Sequence, residues 1–375
     1  MIENSFSNLG LKKDILDMIS KIGLTEATEV QKKIIPLSIE GKNIVFTAPT
    51  GSGKTFAFSL GVINRINPRQ GIQMLVIVPT RELCLQVGEE LKKISLEKNL
   101  KVGMLYGGHE LVADKKILSK KIQILVATPG RLIQHINFKT VKLGSVRYAV
   151  FDESDQMFDN GFYDDCIYIK SRISADSQII LSSATISSKV SKFVKKYVEK
   201  PIILEIGNKI PSNIIQDVLF CEINEKNDLV IDFFKGEEFD RAIIFVNTKN
   251  KLQSITDILN DNGLKTRGIS SDFDQKTREK TIRDFKNKKF SILVATDVAA
   301  RGLDISGVDI VLNYDVPNRS EFYVHRIGRS GRQGVKGYVL TLICPEDEER
   351  FIQIEDEYNL KVGFVNKNFE LVDDI

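Results

Sequence analysis

No apolar run in the 375 residues approaches the roughly 20 needed for a membrane-spanning helix. Met1 to Gly10 also lack the charged-then-apolar layout of a signal peptide. Cysteine is scarce: Cys84, Cys166, Cys221 and Cys344 stand apart without metal-ligand spacing. They read as buried free thiols of a reducing compartment, cytoplasmic rather than secreted. Only three histidines occur, His109, His135 and His325, too few and too scattered for a His-based metal site. Charge of one sign is missing as well. Lys plus Arg exceed Asp plus Glu by 53 − 50 = +3, which leaves only a local electrostatic grip on nucleic acid open. The pairs Lys92-Lys93, Lys115-Lys116 and Lys120-Lys121 read as solvated helix faces. What remains is an ordinary globular composition, 42% hydrophobic and 27% charged. The chain is too long for one ordinary domain, so two α/β domains and a monomer are expected.

The rest of the chain is organised around Tyr148-Ala149-Val150-Phe151-Asp152-Glu153-Ser154-Asp155. A short apolar run reads as a strand buried on both faces of a parallel sheet. The carboxylates after it fall at the strand's carboxyl end, where open α/β sheets bind ligands. Crowded carboxylates repel one another unless a cation shares their site. A solvated acidic turn is the plainer reading until a phosphate cradle is found upstream. Asn43 to Pro49 supplies one, as a strand that feeds Thr50-Gly51-Ser52-Gly53-Lys54-Thr55 and then a helix over Phe56 to Ile66. Glycines let backbone N–H groups close on phosphate, Lys54 adds a full charge, and Thr55 is placed to put its hydroxyl on Mg²⁺.

Before that loop, Leu11, Ile15, Met18, Ile19 and Ile22 recur at helical spacing and Gly23 ends the helix. Gln31 opens a second helix and reads, by itself, as a surface glutamine. After the loop, strands are expected at Met74–Pro79, Ile124–Thr128, Tyr148–Phe151 and Ile179–Ser182. Strand and helix alternate, which means a parallel doubly wound sheet. Thr80-Arg81, Gly107-Gly108, Thr128-Pro129-Gly130-Arg131 and Ser183-Ala184-Thr185 then collect at its carboxyl-end rim. Around Gly207 to Asn213 the apolar rhythm breaks, the mark of a linker. Strands resume at Ala242–Val246, Ser291–Ala295, Val308–Leu312 and Tyr338–Ile343. Ile124-Leu125-Val126-Ala127-Thr128 returns as Ile292-Leu293-Val294-Ala295-Thr296, which suggests two copies of one domain. The second half lacks a phosphate loop but carries His325-Arg326-Ile327-Gly328-Arg329-Ser330-Gly331-Arg332. Those arginines read either as a solvated basic turn or as phosphate ligands.

Taken together, these motifs from Phe6 to Arg332 resemble the two-domain core of the DEAD-box ATP-dependent RNA helicases. The resemblance implies two tandem RecA-like domains, each a parallel sheet flanked by helices. They would span 1–206 and 214–375, with a linker over 207–213. It implies ATP and Mg²⁺ as ligands, with Phe6 and Gln31 at the adenine and Thr50 to Thr55 on the phosphates. Asp152 and Thr55 would serve the metal, partly through water, and Glu153 the attacking water. Ser183 and Thr185 would bond to Asp155 and, with His325, couple the site to domain closure. Gly302 would belong to the ATP site, Asp304 would contact the ribose, and Arg329 and Arg332 would be arginine fingers. RNA, held by its sugar-phosphate backbone without regard to sequence, would contact Thr80, Arg81, Gly108, Thr128, Gly130, Arg131, Thr248, Gln275, Arg278 and Thr296. An ATP-gated RNA clamp and a DNA-directed motor are the alternatives. The chain departs from the family's pattern at Ser154, where alanine is usual, and at Ser270-Ser271, where a His-Gly pair is common. If buried, the Ser154 hydroxyl needs a partner.

Overall fold

The computed structural model describes residues 6–48, 51–206, 213–270, 272–300, 305, 307–331 and 336–372. The chain divides into two compact units, Met1–Gly207 and Asn208–Ile375. Among the described residues, no helix is long and apolar enough to cross a membrane.

The first unit is built on β1 (Ile44–Thr47), β2 (Met74–Ile77), β3 (Val102–Leu105), β4 (Ile124–Ala127), β5 (Tyr148–Phe151), β6 (Gln178–Ser183) and β7 (Ile202–Glu205). They pair in parallel in the order β3-β4-β2-β5-β6-β1-β7. Alternation explains why helices cover both faces. Phe46, Val76, Val126 and Val150 enter one core cluster, while Val45, Leu75, Leu125 and Phe151 enter the other. A strand buried on both sides is apolar nearly throughout, as β2, β4 and β5 are, and β1 up to its last residue, Thr47.

The second unit holds β8 (Ile214–Phe220), β9 (Ala242–Phe245), β10 (Thr266–Ile269), β11 (Ile292–Ala295), β12 (Ile310–Asn313), β13 (Gly337–Ile343), β14 (Gly363–Val365) and β15 (Leu371–Val372). Their order is β10-β11-β9-β12-β13-β8-β14-β15, parallel except for the closing β14–β15 hairpin. Ile243, Phe245 and Leu293 face one cluster and Ile244, Ile292 and Val294 the other.

Six strands escape the apolar-run reading: β3, β7, β8, β10, β14 and β15. All but β8 lie at or beside a sheet edge. Edge strands are covered unevenly, so they tolerate Gly103 in β3 and alternate exposure along β7. In β8, Gln216 and Asp217 interrupt the apolar pattern. The helix after the phosphate loop runs Lys54–Ile63, starting two residues before the expected position. All four cysteines are free and buried.

Candidate functional site

The order β5-β6-β1 sets three strand tips side by side at the carboxyl end of the first sheet. From the β1 tip the chain enters the glycine loop. Gly51 (φ 79°) and Gly53 (φ 83°) occupy the left-handed region, and Gly53 caps the helix Lys54–Ile63. That helix start presents open N–H groups and partial positive charge. Lys54 Nζ donates to the Ala48 carbonyl at 3.1 Å, folding back over the strand tip. Gly53 is needed for a second reason: a Cβ there would lie 2.5 Å from Gln31 Nε2.

Gln31 corrects the surface reading. It is 2% exposed and sits at the third position of the helix Glu29–Ile39, which Thr28 caps. Thr28 Oγ1 accepts from the Gln31 N–H at 3.3 Å while Gln31 Oε1 accepts from the Thr28 N–H at 2.9 Å. The same two side chains hold the loop. Thr28 Oγ1 donates to Ser52 O at 2.8 Å and Gln31 Nε2 to Gly53 O at 3.4 Å. Phe6 is buried, its ring part of the first core cluster.

At the β5 tip, Asp152 is 3% exposed. Burial pushes its carboxyl above the ordinary range, although the Lys54 charge, the Ser182 hydroxyl and the Glu153 N–H all pull the other way. Ser182 Oγ donates to Asp152 Oδ1. Glu153 follows at φ 49°, ψ 49°, a left-handed backbone uncommon outside glycine and frequent at functional sites. Ser154 is buried, and its hydroxyl finds the partner it needs in the Ser182 carbonyl at 3.1 Å. Asp155 Oδ2 accepts from Ala184 N at 3.2 Å, Thr185 N at 3.0 Å and Thr185 Oγ1 at 3.1 Å. Ser183 does not take the expected bond to Asp155; its hydroxyl donates to the Thr185 carbonyl at 2.6 Å. Ser182 and Thr28 are the residues that reading by motif misses. Consecutive serines at the end of an apolar run are the available signal for Ser182.

Along the same rim, Thr80 caps the helix Arg81–Ser95, accepting from Leu83 N at 3.2 Å. The Arg81 guanidinium lies over the glycine pair, and a Cβ on Gly108 (φ 97°) would fall 2.3 Å from it. Thr128 stands at the N-cap position of the helix Pro129–Asn137 without a side-chain capping bond, and exposed Gly130 lies in its first turn. Arg131 does not face solvent. Its side chain is buried, with Nε on Asp114 Oδ2 at 2.6 Å.

In the second unit, Thr248 at the β9 tip is exposed and caps the helix Lys249–Asp261. Thr296 at the β11 tip is buried and accepts weakly from Ala299 N at 3.4 Å. Arg278 reaches the Ala299 carbonyl at 3.3 Å, drawing the helix Gln275–Lys286 toward that tip. Ser270 Oγ accepts from Asp272 N at 3.3 Å. His325, Arg326 and Arg329 share a recess with Asp297 and Phe322, and Arg329 Nη1 reaches the Ile305 carbonyl at 3.5 Å. Arg326, one of the arginines read as a solvated turn or as phosphate ligands, is instead 1% exposed and doubly bonded to Asp297 at 2.6 and 2.8 Å. Thr50, Gly302, Asp304, Arg332, Ser271, the segment 207–212 and the side chain of Gln275 lie outside the described residues.

The profile of the DEAD/DEAH box helicases matches residues 28–193, and that of the helicase conserved C-terminal domain matches 225–334. The ATP-dependent RNA helicase CshA of Listeria monocytogenes is 40% identical over 359 residues, 95% of this chain and 69% of that one. The chain belongs to the DEAD-box ATP-dependent RNA helicase family. The Bacillus subtilis DEAD-box helicase CshA is 39% identical over 361 residues, covering 96% of this chain and 73% of its own. Among solved structures, Saccharomyces cerevisiae Dbp5 bound to RNA and ADP BeF3 superposes with a TM-score of 0.87 at 28% identity, over 97% of this chain and 96% of that one. The two units are accordingly the RecA-like domains of the family. The matched spans contain Gln31, Lys54, the Asp152–Asp155 tip and Arg329, while Phe6 precedes them.

Proposed function

We propose that this helicase couples ATP binding and hydrolysis to local opening of short RNA duplexes or to remodelling of RNA–protein assemblies. The observation that carries the reading is the junction of three strand tips, where Lys54, the Asp152–Ser182 bond and the Asp155–Thr185 bonds meet at a glycine loop. The loop Thr50 to Thr55 holds the phosphates, and Gln31 ties the base-recognising segment to that loop through Gly53. The residues fit a magnesium ion. Asp152 is a buried carboxylate whose ionised form burial disfavours, and no cluster of three or more metal-ligating residues competes with it among the described residues. One carboxylate and a hydroxyl suit Mg²⁺, which completes its shell with phosphate oxygens and water. Asp152 and Thr55 would hold it, and when bound it supplies charge neutralisation on the phosphates.

Glu153 is the base. It accepts a proton from the attacking water as the water's oxygen bonds to the γ-phosphorus and the bridging bond to ADP breaks. Its left-handed backbone turns the residue away from the helix it precedes. Asp155 holds the Ser183–Thr185 segment, through which the state of the ATP site reaches the domain-closure elements that include His325. Gly302 belongs to the ATP site, Asp304 serves the ribose, and Arg329 and Arg332 serve the transition-state charge. RNA lies by its backbone on Thr80, Arg81, Gly108, Thr128, Gly130, Thr248, Gln275, Arg278 and Thr296, so binding is independent of sequence and weakened by salt. Arg131 is moved from this set to a supporting position. The decisive experiment is Glu153→Gln, for which RNA-stimulated ATP turnover should fall about 10²–10⁴-fold while ATP and RNA binding persist. Near-normal turnover would remove Glu153 from the role of base.

A further inference from the structure

One buried carboxylate plays no part in the chemistry above. Asp114, on the helix Leu111–Leu118, is fully buried, yet three basic side chains converge on it. His109 Nε2 lies 2.6 Å from Oδ1, while Arg131 Nε at 2.6 Å and His135 Nε2 at 2.8 Å both meet Oδ2. Burial pushes the Asp114 carboxyl up, but the bonds from His109, His135 and Arg131 outweigh it and hold the group below the ordinary range. The donors are fixed in turn. Arg131 Nη2 donates to the His109 carbonyl at 2.8 Å, Arg131 Nη1 to Gln134 Oε1 at 3.3 Å, and His135 Nδ1 faces Thr140 Oγ1 at 2.7 Å. The Tyr106 ring meets His109 edge-on at 4.7 Å.

What the carboxylate joins gives it a meaning beyond a core ion pair. His109 continues the Gly107-Gly108 loop, and Arg131 ends the Thr128-Pro129-Gly130-Arg131 turn. The glycine loop also carries the Arg81 guanidinium, close enough that a side chain at Gly108 would strike it. Three rim segments from three different strand tips are therefore tied together, and Asp114 is the group common to the His109 and Arg131 links. Short contacts at fixed geometry transmit small displacements, because packed networks shift between discrete arrangements rather than yielding smoothly.

We propose that Asp114 is a positioning residue for RNA, holding the Gly107–His109 loop and the Thr128–Arg131 turn at the separation that the RNA backbone requires. This rests on the reading of that rim as the RNA surface. Arg131 then acts from inside, as the arm by which the turn is held, and its buried guanidinium has no contact of its own with RNA.

Two variants test it in RNA-stimulated ATPase assays. Asp114→Asn keeps the size of the side chain but replaces one accepting oxygen. His109→Ala removes only the loop's side-chain link to Asp114, keeping the Arg131 bond to the backbone carbonyl of residue 109 and leaving Arg131 and His135 paired. The RNA concentration for half-maximal stimulation should rise about tenfold or more in Asp114→Asn, since a misplaced contact can cost up to about 10²-fold, and by less in His109→Ala. Turnover at saturating RNA and ATP affinity without RNA should stay near wild type in both. Half-saturation unmoved in both variants, at a temperature where melting curves show them folded, overturns the proposal and leaves Asp114 a purely structural ion. Equal loss of turnover at saturating RNA overturns it as well. Arg81→Ala in the same assay separates the two levels. If it raises half-saturation while the other variants do not, only the Asp114 proposal fails; if it too is silent, the rim reading fails and takes the proposal with it.

Discussion

The pentapeptide Ile-Leu-Val-Ala-Thr occurs twice, and both copies occupy the same place. β4 is second from the edge in β3-β4-β2-β5-β6-β1, and β11 is second from the edge in β10-β11-β9-β12-β13-β8. Each threonine ends its strand and starts a helical turn beside an arginine–aspartate pair whose arginine is buried. The polarity of the pairs is opposite. After Thr128 the turn contributes the arginine, Arg131, and a neighbouring helix contributes Asp114. After Thr296 the turn contributes the aspartate, Asp297, and the helix Ser320–Ile327 contributes Arg326. Identical strands thus report only that both must be apolar on two faces; the residues just past each tip decide its chemistry. The company differs too. Asp114 is shared with two histidines. Arg326 adds bonds to Asn247 Oδ1, Asn313 Oδ1 and the Asp315 carbonyl, and lies over the Phe245 ring at 5.1 Å.

That asymmetry predicts unequal costs for breaking the pairs. Asp297→Ala leaves a guanidinium that cannot lose its proton in a nearly sealed site, and the stability lost should approach the roughly 3–5 kcal/mol typical of an orphaned buried charge. Asp114→Ala should cost less, because only one of its three partners, Arg131, is a guanidinium that must keep its charge. Urea unfolding of both variants, followed by probes in each domain, measures the difference. Equal losses would mean that the histidines give no relief, and the two nodes would then be equivalent despite their polarity.

Acid should separate the nodes further. The folded-state carboxyl of Asp114 is held below its ordinary value, its three donors prevailing over the cost of burial. A depressed carboxyl contributes stability that is complete above the unfolded value of about 3.9 and is lost as pH falls through the folded one. The stability gap between wild type and Asp114→Asn should therefore narrow as pH falls below about 4. A gap that is unchanged down to about pH 3 would contradict the depressed carboxyl.

The central strands are legible in the sequence because burial on two faces forbids polar residues, so β1, β2, β4 and β5 announce themselves as apolar runs. The glycine loop is legible for a different reason: Gly51 and Gly53 both take a left-handed φ that favours glycine, and Gln31 crowds the place of a Cβ at Gly53. The burial of Gln31 is not legible, since a capping box needs Thr28 and Gln31 together and the burial comes from the loop folding over both. The Asp114 node is invisible in the chain. Arg131 and His135 stand one helical turn apart, but nothing near Asp114 in the chain announces that it turns inward to meet them. Nor does motif spacing say that Ser182 meets Asp152, or that the Ser183 hydroxyl turns to the Thr185 carbonyl rather than to Asp155.

The smallest expected effect comes from the two threonines themselves. Thr296 Oγ1 caps its short helix through Ala299 N at 3.4 Å, a long bond, so Thr296→Val should cost no more than about 0.5–1 kcal/mol of stability. The Thr128 side chain makes no capping bond, so Thr128→Val should leave stability unchanged within about 0.5 kcal/mol. If both hydroxyls meet the RNA backbone, however, each variant should lose a similar amount of RNA affinity, about 0.5–1.5 kcal/mol for one hydrogen bond. Equilibrium RNA binding and urea unfolding on the same two proteins would then disagree in the way that separates a fold-bearing hydroxyl from a ligand-bearing one. Should RNA affinity follow stability instead, falling for Thr296→Val alone, Thr128 would be no more than the end of a strand, and the resemblance between the two tips would stop at the backbone.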